Sequence, residues 1–438
     1  MSFGIDKQTL DELNLMGKFR SGSVYSLFNQ VKTSGGEQLL DKMFRSPMDD
    51  AQKINNRTAV FRFFQQQGLR FPFDAQQMSL VRDYMDAGAG SSLPVVFVRT
   101  VVKKMLSTLA RDERHKKNIQ GLQAVIAVMA RCHSFLENIH DVPPVYAGRV
   151  ARVTQLLADG RIEKLRKTDV YKSLSLKTLV YYNHLLKGRL QQEMEDMMQF
   201  IYELDVYIHV GAVALGKGFT FAEAFAPKRN ILAAANLRHP CVEKAIGNSL
   251  LLNEESNVLF LTGANMAGKS TFMKSVGIAV YLAHIGFPVA AENMAFSVRE
   301  GLYSSINVAD NINLGYSHFY AEVIRVKQAA EAAASGKRLL LMFDELFKGT
   351  NVKDAYDGTL AVTEGFSDYT DCLFIVSTHI IEVGTALKAR PNIRFAYMPT
   401  VMEGARPRYT YKMQEGITGD RQGMMIIRNE GILELMGD

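Results

Sequence analysis

Residues 263–271 are the part of this sequence with the strongest structural requirements. They read Gly-Ala-Asn-Met-Ala-Gly-Lys-Ser-Thr and satisfy the pattern G-x-x-x-x-G-K-[ST]. An apolar run, Val258–Leu261, precedes them, and a helical pattern over Phe272–Ile285 follows and stops at Gly286 and Pro288. A glycine-rich loop between a strand and a helix lets backbone N–H groups and the positive helix end surround a phosphate. The sequence therefore predicts an α/β domain with a phosphate-binding loop.

Each position of this loop has an expected role. We expect Lys269 to reach the β- and γ-phosphates of a bound nucleotide and the Ser270 hydroxyl to ligate Mg²⁺. The predicted cofactor-binding residues are Gly263, Ala264, Asn265, Met266, Ala267, Gly268, Lys269, Ser270 and Thr271.

A pair of acidic residues follows a second apolar run. Asp344 and Glu345 come directly after Leu339–Phe343. Asp344 is expected to hold the Mg²⁺ shell together with Ser270, and Glu345 to orient and polarise an attacking water, which favours hydrolysis over transfer to a substrate hydroxyl. The alternative is a polar strand end without a catalytic role. The presence of the phosphate-binding loop favours the catalytic interpretation.

Two more residues are candidates for contact with the γ-phosphate. His379 follows the strand-like run Leu373–Ser377 and should reach the same edge of the sheet as the loop, although a lone histidine is more often packed or solvated. Ser317 opens a predicted helix whose first N–H groups form a second anion site, or it is simply the helix N-cap. A second such site in a chain with one phosphate-binding loop suggests a site shared between two subunits.

The first half of the chain has a helical pattern. No proline occurs from Val145 to Ala226, and apolar residues recur every three or four positions from Leu179 to Ile208. A helix from about Leu176 to Val210 would be roughly 50 Å long at 1.5 Å per residue. Such a helix would be a strut between distant parts of the molecule, part of a helical bundle core, or both.

After about Lys228 the pattern changes to short β-type runs that alternate with helices, which is typical of an α/β domain. The predicted strands are Val258–Leu261, Leu339–Phe343, Leu373–Ser377, Ile393–Tyr397 and Tyr409–Met413. We therefore predict an all-α N-terminal domain over residues 1–225, followed by a P-loop NTPase α/β domain over residues 226–438.

Composition narrows the class of protein further. With 47% hydrophobic and 22% charged residues, the 438-residue chain is neither disordered nor fibrous. Its three cysteines suit a reducing compartment. The N-terminus lacks a secretory pattern and no run approaches the ~18 apolar residues of a membrane span, so we expect a cytoplasmic protein that does not enter membranes.

Two basic clusters lie in the helical half. Seven basic residues fall between Arg99 and Lys117, and six fall between Arg149 and Lys167, in a chain whose formal net charge is +6. Such clusters are most often solvated helix faces. The alternative is contact with the phosphate backbone of a nucleic acid, which needs no sequence-specific groups.

Together these residues resemble the MutS family of DNA mismatch-repair ATPases, whose ATPase domain is of the ABC type. The motifs that carry the resemblance are Arg238-His239-Pro240, the loop Gly263–Thr271, Ser317-x-Phe319-x-x-Glu322, Asp344-Glu345-Leu346 with Gly349-Thr350, and Thr378-His379. The helical half also resembles the core and lever of that family, through Ser26–Asn29, Gly36–Phe44 and the long helix.

The resemblance covers most of the chain, with departures. Full-length repair members begin with a mismatch-reading domain that carries a Phe-x-Glu wedge and with a connector, whereas here the core pattern begins almost at residue 1. Phe135-Leu136-Glu137 matches the tripeptide inside a predicted helix, which we interpret as coincidence. No clamp insertion is evident. The resemblance therefore implies a short form, and these departures argue against direct mismatch reading.

The resemblance implies an ATP-dependent DNA-binding protein that hydrolyses ATP with Mg²⁺ to switch DNA-bound conformations. The implied partners are mismatched or branched double-stranded DNA, a second copy of the chain and other repair proteins. In the homodimer, Ser317 of one chain would face the γ-phosphate bound by Lys269 of the other, so that Ser317, Glu345 and His379 serve catalysis. The alternative is an ATP-driven module that binds a protein partner, or branched DNA without mismatch recognition. A small-molecule kinase is disfavoured because Glu345 suits water activation and no acceptor site is recognisable.

Overall fold

The structure is a computed structural model, and it describes residues 3–17, 22–87, 109–169, 176–306, 318–403, 406–418 and 435. Its architecture is a mixture of helices and sheets. The α-helices are α1 (Lys7–Glu12), α2 (Val24–Phe28), α3 (Ser34–Phe44), α4 (Ala51–Gln67), α5 (Ala75–Asp86), α6 (Leu109–Glu137), α7 (Pro144–Leu157), α8 (Gly160–Arg166), α9 (Leu176–His184), α10 (Gln191–Lys217), α11 (Lys269–His284), α12 (His318–Ala334), α13 (Val352–Ser367) and α14 (Ile381–Ala386). Short 3₁₀ turns lie at Pro227–Arg229 and Leu387–Ala389, and a π-helical turn lies at Leu185–Arg189.

The strands are short and concentrate in the second half of the sequence. They are β1 (Gly4–Ile5), β2 (Thr220–Phe221), β3 (Glu223–Phe225), β4 (Leu232–Leu237), β5 (Asn248–Leu252), β6 (Val258–Gly263), β7 (Pro288–Val289), β8 (Asn293–Ser297), β9 (Gly301–Ser305), β10 (Leu339–Asp344), β11 (Leu373–Ser377), β12 (Ile393–Met398), β13 (Thr400–Glu403), β14 (Arg406–Tyr409) and β15 (Gln414–Glu415).

A seven-stranded sheet in the order β1-β9-β10-β11-β6-β12-β15 forms the centre of the first of two compact units. All neighbouring strands in it are parallel except β12 and β15. Every residue of β6 and β11 is buried, which is why these strands read as continuous apolar runs without alternation. The stacked rings of Phe343, Phe366 and Phe374 lie in the core on one face of this sheet.

The compact units differ from the boundary that we placed at residue 225. The unit with the sheet comprises Met1–Phe28, Ser46–Thr58 and Val213–Asp438, and the other comprises Asn29–Arg45 and Ala59–Ala212. The early segment joins the sheet because Gly4 and Ile5 pair in parallel with Gly301 and Leu302. A strand of two residues is too short to show a hydrophobic period, so no pattern in the sequence indicates this pairing.

Within its described residues, the second unit consists of helices. Its last helical segment covers the predicted long helix, with α9 and α10 joined by the π-helical turn, in which the N–H of Leu190 donates to the carbonyl of Leu185. Met194, Met197 and Ile201 are fully buried, as their spacing predicted. The stripe therefore forms part of the core of this unit.

One predicted strand is wrong. Residues 410–413 lie outside any strand: β14 ends at Tyr409, and Tyr411 has a φ of +54° where the chain turns between β14 and β15. The Asn248 side chain fixes this turn: its Nδ2 donates to Tyr411 O at 3.0 Å, and its Oδ1 accepts from Met413 N at 2.7 Å. The β-type composition of this segment does not predict the turn, because the hydrogen bonds that hold it come from a distant side chain.

Among the described residues, one helical segment, Lys116–Glu137 within α6, is long and apolar enough to cross a bilayer. Half of its most apolar window is buried inside the protein, with Leu122, Val125 and Met129 in the core. A core helix passes the same length and composition test, so this segment is weak support for a membrane span.

His284, at the end of α11, makes the stability of the first unit sensitive to acid. Its ring is fully buried, its Nδ1 donates to Val280 O at 2.7 Å, and its Nε2 accepts from Arg299 N at 3.0 Å. These two hydrogen bonds require the neutral imidazole. Burial lowers the pKa of His284 to about 4. In the unfolded chain this histidine binds a proton near pH 6.5, whereas in the folded protein it stays neutral down to about pH 4. The contribution of His284 to the free energy of unfolding is therefore complete above pH 6.5 and is lost as the pH falls towards 4.

We expect the free energy of unfolding to fall by roughly 2 kcal/mol between pH 7 and pH 5 through this group alone, at 1.36 kcal/mol per unit of pKa difference. Urea unfolding at both pH values measures the difference. The His284→Gln protein should lack this difference in the free energy of unfolding between pH 7 and pH 5. The His140→Gln protein, changed at an exposed position, should retain it. An equal pH dependence in wild type and His284→Gln would contradict the prediction.

Candidate nucleotide site

The predicted phosphate-binding loop lies between β6 and α11, at the carboxyl edge of the central sheet. β6 ends at Gly263 and α11 begins at Lys269. The loop requires a glycine at its last position, because Gly268 has a φ of +104° and a Cβ there would lie 3.0 Å from the Tyr411 ring. Met266 also has a positive φ, of +67°, and its side chain is 79% exposed. The loop thus has the backbone shape of an anion cradle that opens into a helix N-terminus.

Lys269 lies folded over this loop. Its side chain is buried, and its Nζ donates to Gly263 O at 2.8 Å and to Ala264 O at 3.1 Å. Burial lowers the pKa of Lys269, although the carboxylates of Asp344 and Glu345 partly offset this effect. A buried ammonium group that donates only to carbonyls gains strongly from an anion placed beside it.

Ser270 and Asp344 are brought together. The Ser270 hydroxyl donates a short hydrogen bond to Asp344 Oδ2, and Asp344 Oδ1 is buried without a hydrogen-bond partner in the described part of the chain. Burial raises the pKa of Asp344, and the hydrogen bond from Ser270 opposes that rise. A hydroxyl and a carboxylate with a free buried oxygen are the hard donors that Mg²⁺ prefers. These two side chains therefore fit a magnesium ion.

Glu345 and His379 follow neighbouring strands and face each other. Asp344 and Ser377 are register partners at the ends of β10 and β11. Glu345 then turns with a φ of +52°, and its N–H donates to Ser377 O at 2.8 Å. His379 Nδ1 lies 3.9 Å from Glu345 Oε1, and the imidazole is 56% exposed. A partly buried carboxylate beside an exposed imidazole can orient a water at the mouth of the loop.

The strand order places all of these groups at one edge. β11 lies between β6 and β10, and Thr378 N donates to Leu261 O at 3.1 Å, which ties the end of β11 to the start of the loop. The structure therefore brings together the loop, Asp344, Glu345 and His379. Ser317 lies outside the described residues, one position before α12 begins at His318.

Two residues beside the loop were not singled out from the sequence. Tyr411 lies against Gly268, and Met398 lies against both Gly263 and Gly268. Met398 reaches the loop because β12 pairs with β6 in the register Met398 to Gly263. No local motif marks either residue, and only the strand pairing reveals them.

The second basic cluster is largely neutralised within its own unit. Arg149 is paired with Asp196 at 2.5 Å and Glu203 at 3.1 Å, and Arg161 and Lys167 are paired with Asp159 and Glu163 at 2.8 and 2.7 Å. Arg152 lies 3.9 Å from Asp196 and its side chain is 70% exposed. In the first cluster, residues 99–108 lie outside the described residues. Much of the charge counted between Arg149 and Lys167 is thus used internally, as in a solvated helix face.

Comparison with known proteins gives a consistent result for this site. The family model for MutS domain V matches residues 259–434. The chain is similar to the DNA mismatch repair protein MutS of Geobacillus sp. (strain WCH70), with 27% identity over 239 residues, and to that of Streptococcus sanguinis (strain SK36), with 27% identity over 253 residues. These matches cover 53% and 56% of this chain and 27% and 29% of those relatives.

A longer match extends into the helical half. The MutS of Bacillus cereus (strain B4264) is 24% identical over 345 residues, which is 75% of this chain and 38% of that protein. The chain thus spans between about a quarter and two fifths of the length of these curated relatives. The matched domain includes the phosphate-binding loop, Asp344, Glu345 and His379. These matches confirm the resemblance to the MutS family noted from the motifs, and residues 259–434 are similar to its domain V.

Proposed function

We propose that this protein is a Mg²⁺-dependent, DNA-stimulated ATPase that hydrolyses ATP to switch between DNA-bound conformations. The observation that carries the proposal is the convergence of Lys269, Ser270, Asp344 and Glu345 at one edge of the sheet, in the domain that matches MutS domain V. The relatives that the chain matches are DNA mismatch repair proteins, which supports DNA as the partner.

The roles of the residues follow from their positions. The N–H groups of residues 264–271 and the start of α11 bind the phosphates, and Lys269 exchanges its two carbonyl contacts for the β- and γ-phosphate oxygens. Ser270 and Asp344 hold the metal, which supplies neutralising charge on the phosphates when bound. Glu345 orients the attacking water and accepts its proton, while His379, 3.9 Å away, lies where it can contact the γ-phosphate.

We further propose an ABC-type arrangement in which two copies close head-to-tail around ATP. The site in one chain is then completed by Ser317 of the partner subunit, at the N-terminus of a helix whose dipole favours the γ-phosphate charge. In this proposal the helical unit, Asn29–Arg45 and Ala59–Ala212, is the core and lever, and the unit with the central sheet is the ATPase motor. We place the protein in the cytoplasm, without a membrane role, where it acts with other repair proteins.

A second candidate function has a specific observation in its favour. The paired state of Arg149, Arg161 and Lys167 leaves few free cations in the described part of the second basic cluster. An ATP-driven module that binds a protein partner, or that binds branched DNA without reading mismatches, needs no larger basic surface. Both functions use the same ATPase site.

A salt titration of DNA binding separates the two. We expect the purified protein to bind branched or mismatched DNA more tightly than a matched homoduplex. The logarithm of the binding constant should fall linearly with the logarithm of the salt concentration, with a slope of about −0.9 for each phosphate contacted. The same DNA should stimulate ATP hydrolysis. The Arg152→Ala protein should bind more weakly, whereas Lys388→Ala, exposed on the other unit, serves as the control. Absence of binding even at ~50 mM salt, where electrostatic contacts are strongest, would leave the protein-partner function.

A further inference from the structure

The first helix of the chain presents three polar side chains to the sheet. Asp6 is the N-cap of α1, and Thr9 and Glu12 follow at intervals of three, so that all three lie on one side of the helix. Each of them bonds to the carboxyl end of β9 or to Arg325 of α12. This group, Asp6, Thr9, Glu12 and Arg325, is called the α1 network below.

Arg325 is the centre of the α1 network. Its guanidinium is buried and donates to Asp6 Oδ1 at 3.2 Å and, in a shorter bond, to Asp6 Oδ2. It also donates to Thr9 Oγ1 at 3.1 Å and to Ser304 O at 2.6 Å, and it lies 3.7 Å above the Tyr303 ring. Burial alone would raise the pKa of Asp6, but the bonds from Arg325 and Thr9 N outweigh it and lower that pKa. Asp6 is therefore a carboxylate at neutral pH.

Thr9 and Glu12 hold the end of β9. Thr9 Oγ1 accepts from Ser304 N at 3.0 Å. Glu12 Oε2 accepts a short bond from the Ser304 hydroxyl and a second bond from Ile306 N at 3.1 Å. Since β9 pairs with β10 in the register Ser304 to Met342 and Ser305 to Phe343, these bonds fix the strand next to the one that ends in Asp344.

The helix that carries Arg325 also touches the loop after Glu345. A Cβ at Gly349 would lie 3.1 Å from the backbone nitrogen of Phe319, so the loop and the start of α12 are in close contact. The Phe319 and Phe347 rings pack edge to face with centroids 6.1 Å apart, and Phe347 has a φ of +61°. The start of α12 therefore packs against the loop that follows Glu345, at Phe347 and Gly349.

We propose that the α1 network positions Glu345 for the hydrolysis step, with Asp6, Glu12 and Arg325 as positioning residues. The network clamps α12 and the end of β9 against the sheet, and α12 in turn supports the backbone turn that carries Glu345. A forked, multiply hydrogen-bonded guanidinium fixes one orientation, which an apolar contact does not do. The inference rests on the proposed ATPase function. It adds that Asp6 and Glu12, which belong to none of the nucleotide-site motifs, support the chemical step by positioning Glu345.

The test separates catalysis from nucleotide binding. We expect Asp6→Asn and Arg325→Met to lower the kcat of ATP hydrolysis by roughly 10- to 100-fold, the size of effect that a misplacement of about 1 Å produces. The KM and the Kd for ATP should stay within about threefold of wild type, because the phosphate-binding loop is unchanged. The near-isosteric Asp6→Asn keeps the shape of the site, and far-UV circular dichroism shows whether each variant is folded.

The matched control is Arg390→Met, which removes an arginine paired with Glu364 and Asp368 on the surface of the same unit. It should leave kcat within about twofold. If wild type hydrolyses ATP and Asp6→Asn does so at the same rate, or if kcat and ATP affinity fall in parallel, the positioning role is overturned and the ATPase function stands. If wild type itself shows no hydrolysis with or without DNA, the proposed function is overturned and this inference with it.

Discussion

The Lys269→Ala protein should bind ATP at least 30-fold more weakly than wild type and should show no measurable hydrolysis. The alanine removes the buried ammonium that donates to Gly263 O and Ala264 O and that would turn to the phosphates. Truncating one side of a buried, hydrogen-bonded charge contact costs about 2–5 kcal/mol, which corresponds to a factor of roughly 30 to 4,000 in the dissociation constant. Isothermal titration with a non-hydrolysable ATP analogue measures the loss directly.

The chain offers a control on the same helix. Lys274 lies on α11, one turn beyond the loop, and its replacement by alanine removes the same charge without touching the phosphate site. We expect Lys274→Ala to retain its ATP affinity within about threefold, because an exposed or half-exposed charge contributes little at this distance. Wild-type affinity in Lys269→Ala would show that the loop does not bind the phosphates.

The second large effect is expected from Glu345→Gln. The amide keeps the size of the carboxylate but cannot accept a proton from the attacking water, so kcat should fall by about 10²- to 10⁴-fold. The phosphate contacts of the loop and the Ser270–Asp344 pair are unaffected, so ATP affinity should change little. The variant should therefore accumulate in the ATP-bound form, which size-exclusion chromatography with ATP and Mg²⁺ should detect as a stable dimer.

A surface glutamate provides the comparison for this variant. Glu331 on α12 is 65% exposed, and Glu331→Gln should hydrolyse ATP at the wild-type rate. Single-turnover measurements then separate the chemical step from product release. Hydrolysis by Glu345→Gln at the wild-type rate would show that Glu345 is not the base that accepts the proton of the attacking water.

The parts of the site that are contiguous in sequence could be predicted from the sequence. The loop Gly263–Thr271 and the pair Asp344 and Glu345 each follow an apolar strand, and parallel strands deliver their carboxyl ends to one edge. His379 was placed at that edge by the same argument, and it lies 3.9 Å from Glu345. Local pattern and sheet geometry are sufficient here, because each motif contains both its strand and its functional group.

The contacts between distant residues could not be predicted in this way. Arg325 binds Asp6 across most of the chain, and nothing in the helical pattern of either segment specifies the other as its partner. Tyr411 lies against Gly268 from a left-handed turn that Asn248, 163 residues earlier, holds through a hydrogen bond to the Tyr411 carbonyl. Arg149 reads as part of a basic patch in the sequence, whereas the fold pairs it with Asp196 and Glu203, which lie 47 and 54 residues later. Pairing of this kind is a property of the tertiary structure.

The strand pairing of Gly4 with Gly301 has a consequence for the order in which the chain folds. During synthesis, residues 4 and 5 leave the ribosome well before their neighbours in the sheet exist, so they must remain unpaired while roughly 300 further residues are made. The α1 network has the same requirement, since Arg325 is made 319 residues after its partner Asp6. The early segment can therefore pair with the sheet only after β9 has been made, and α1 can bond to α12 only after Arg325 has been made.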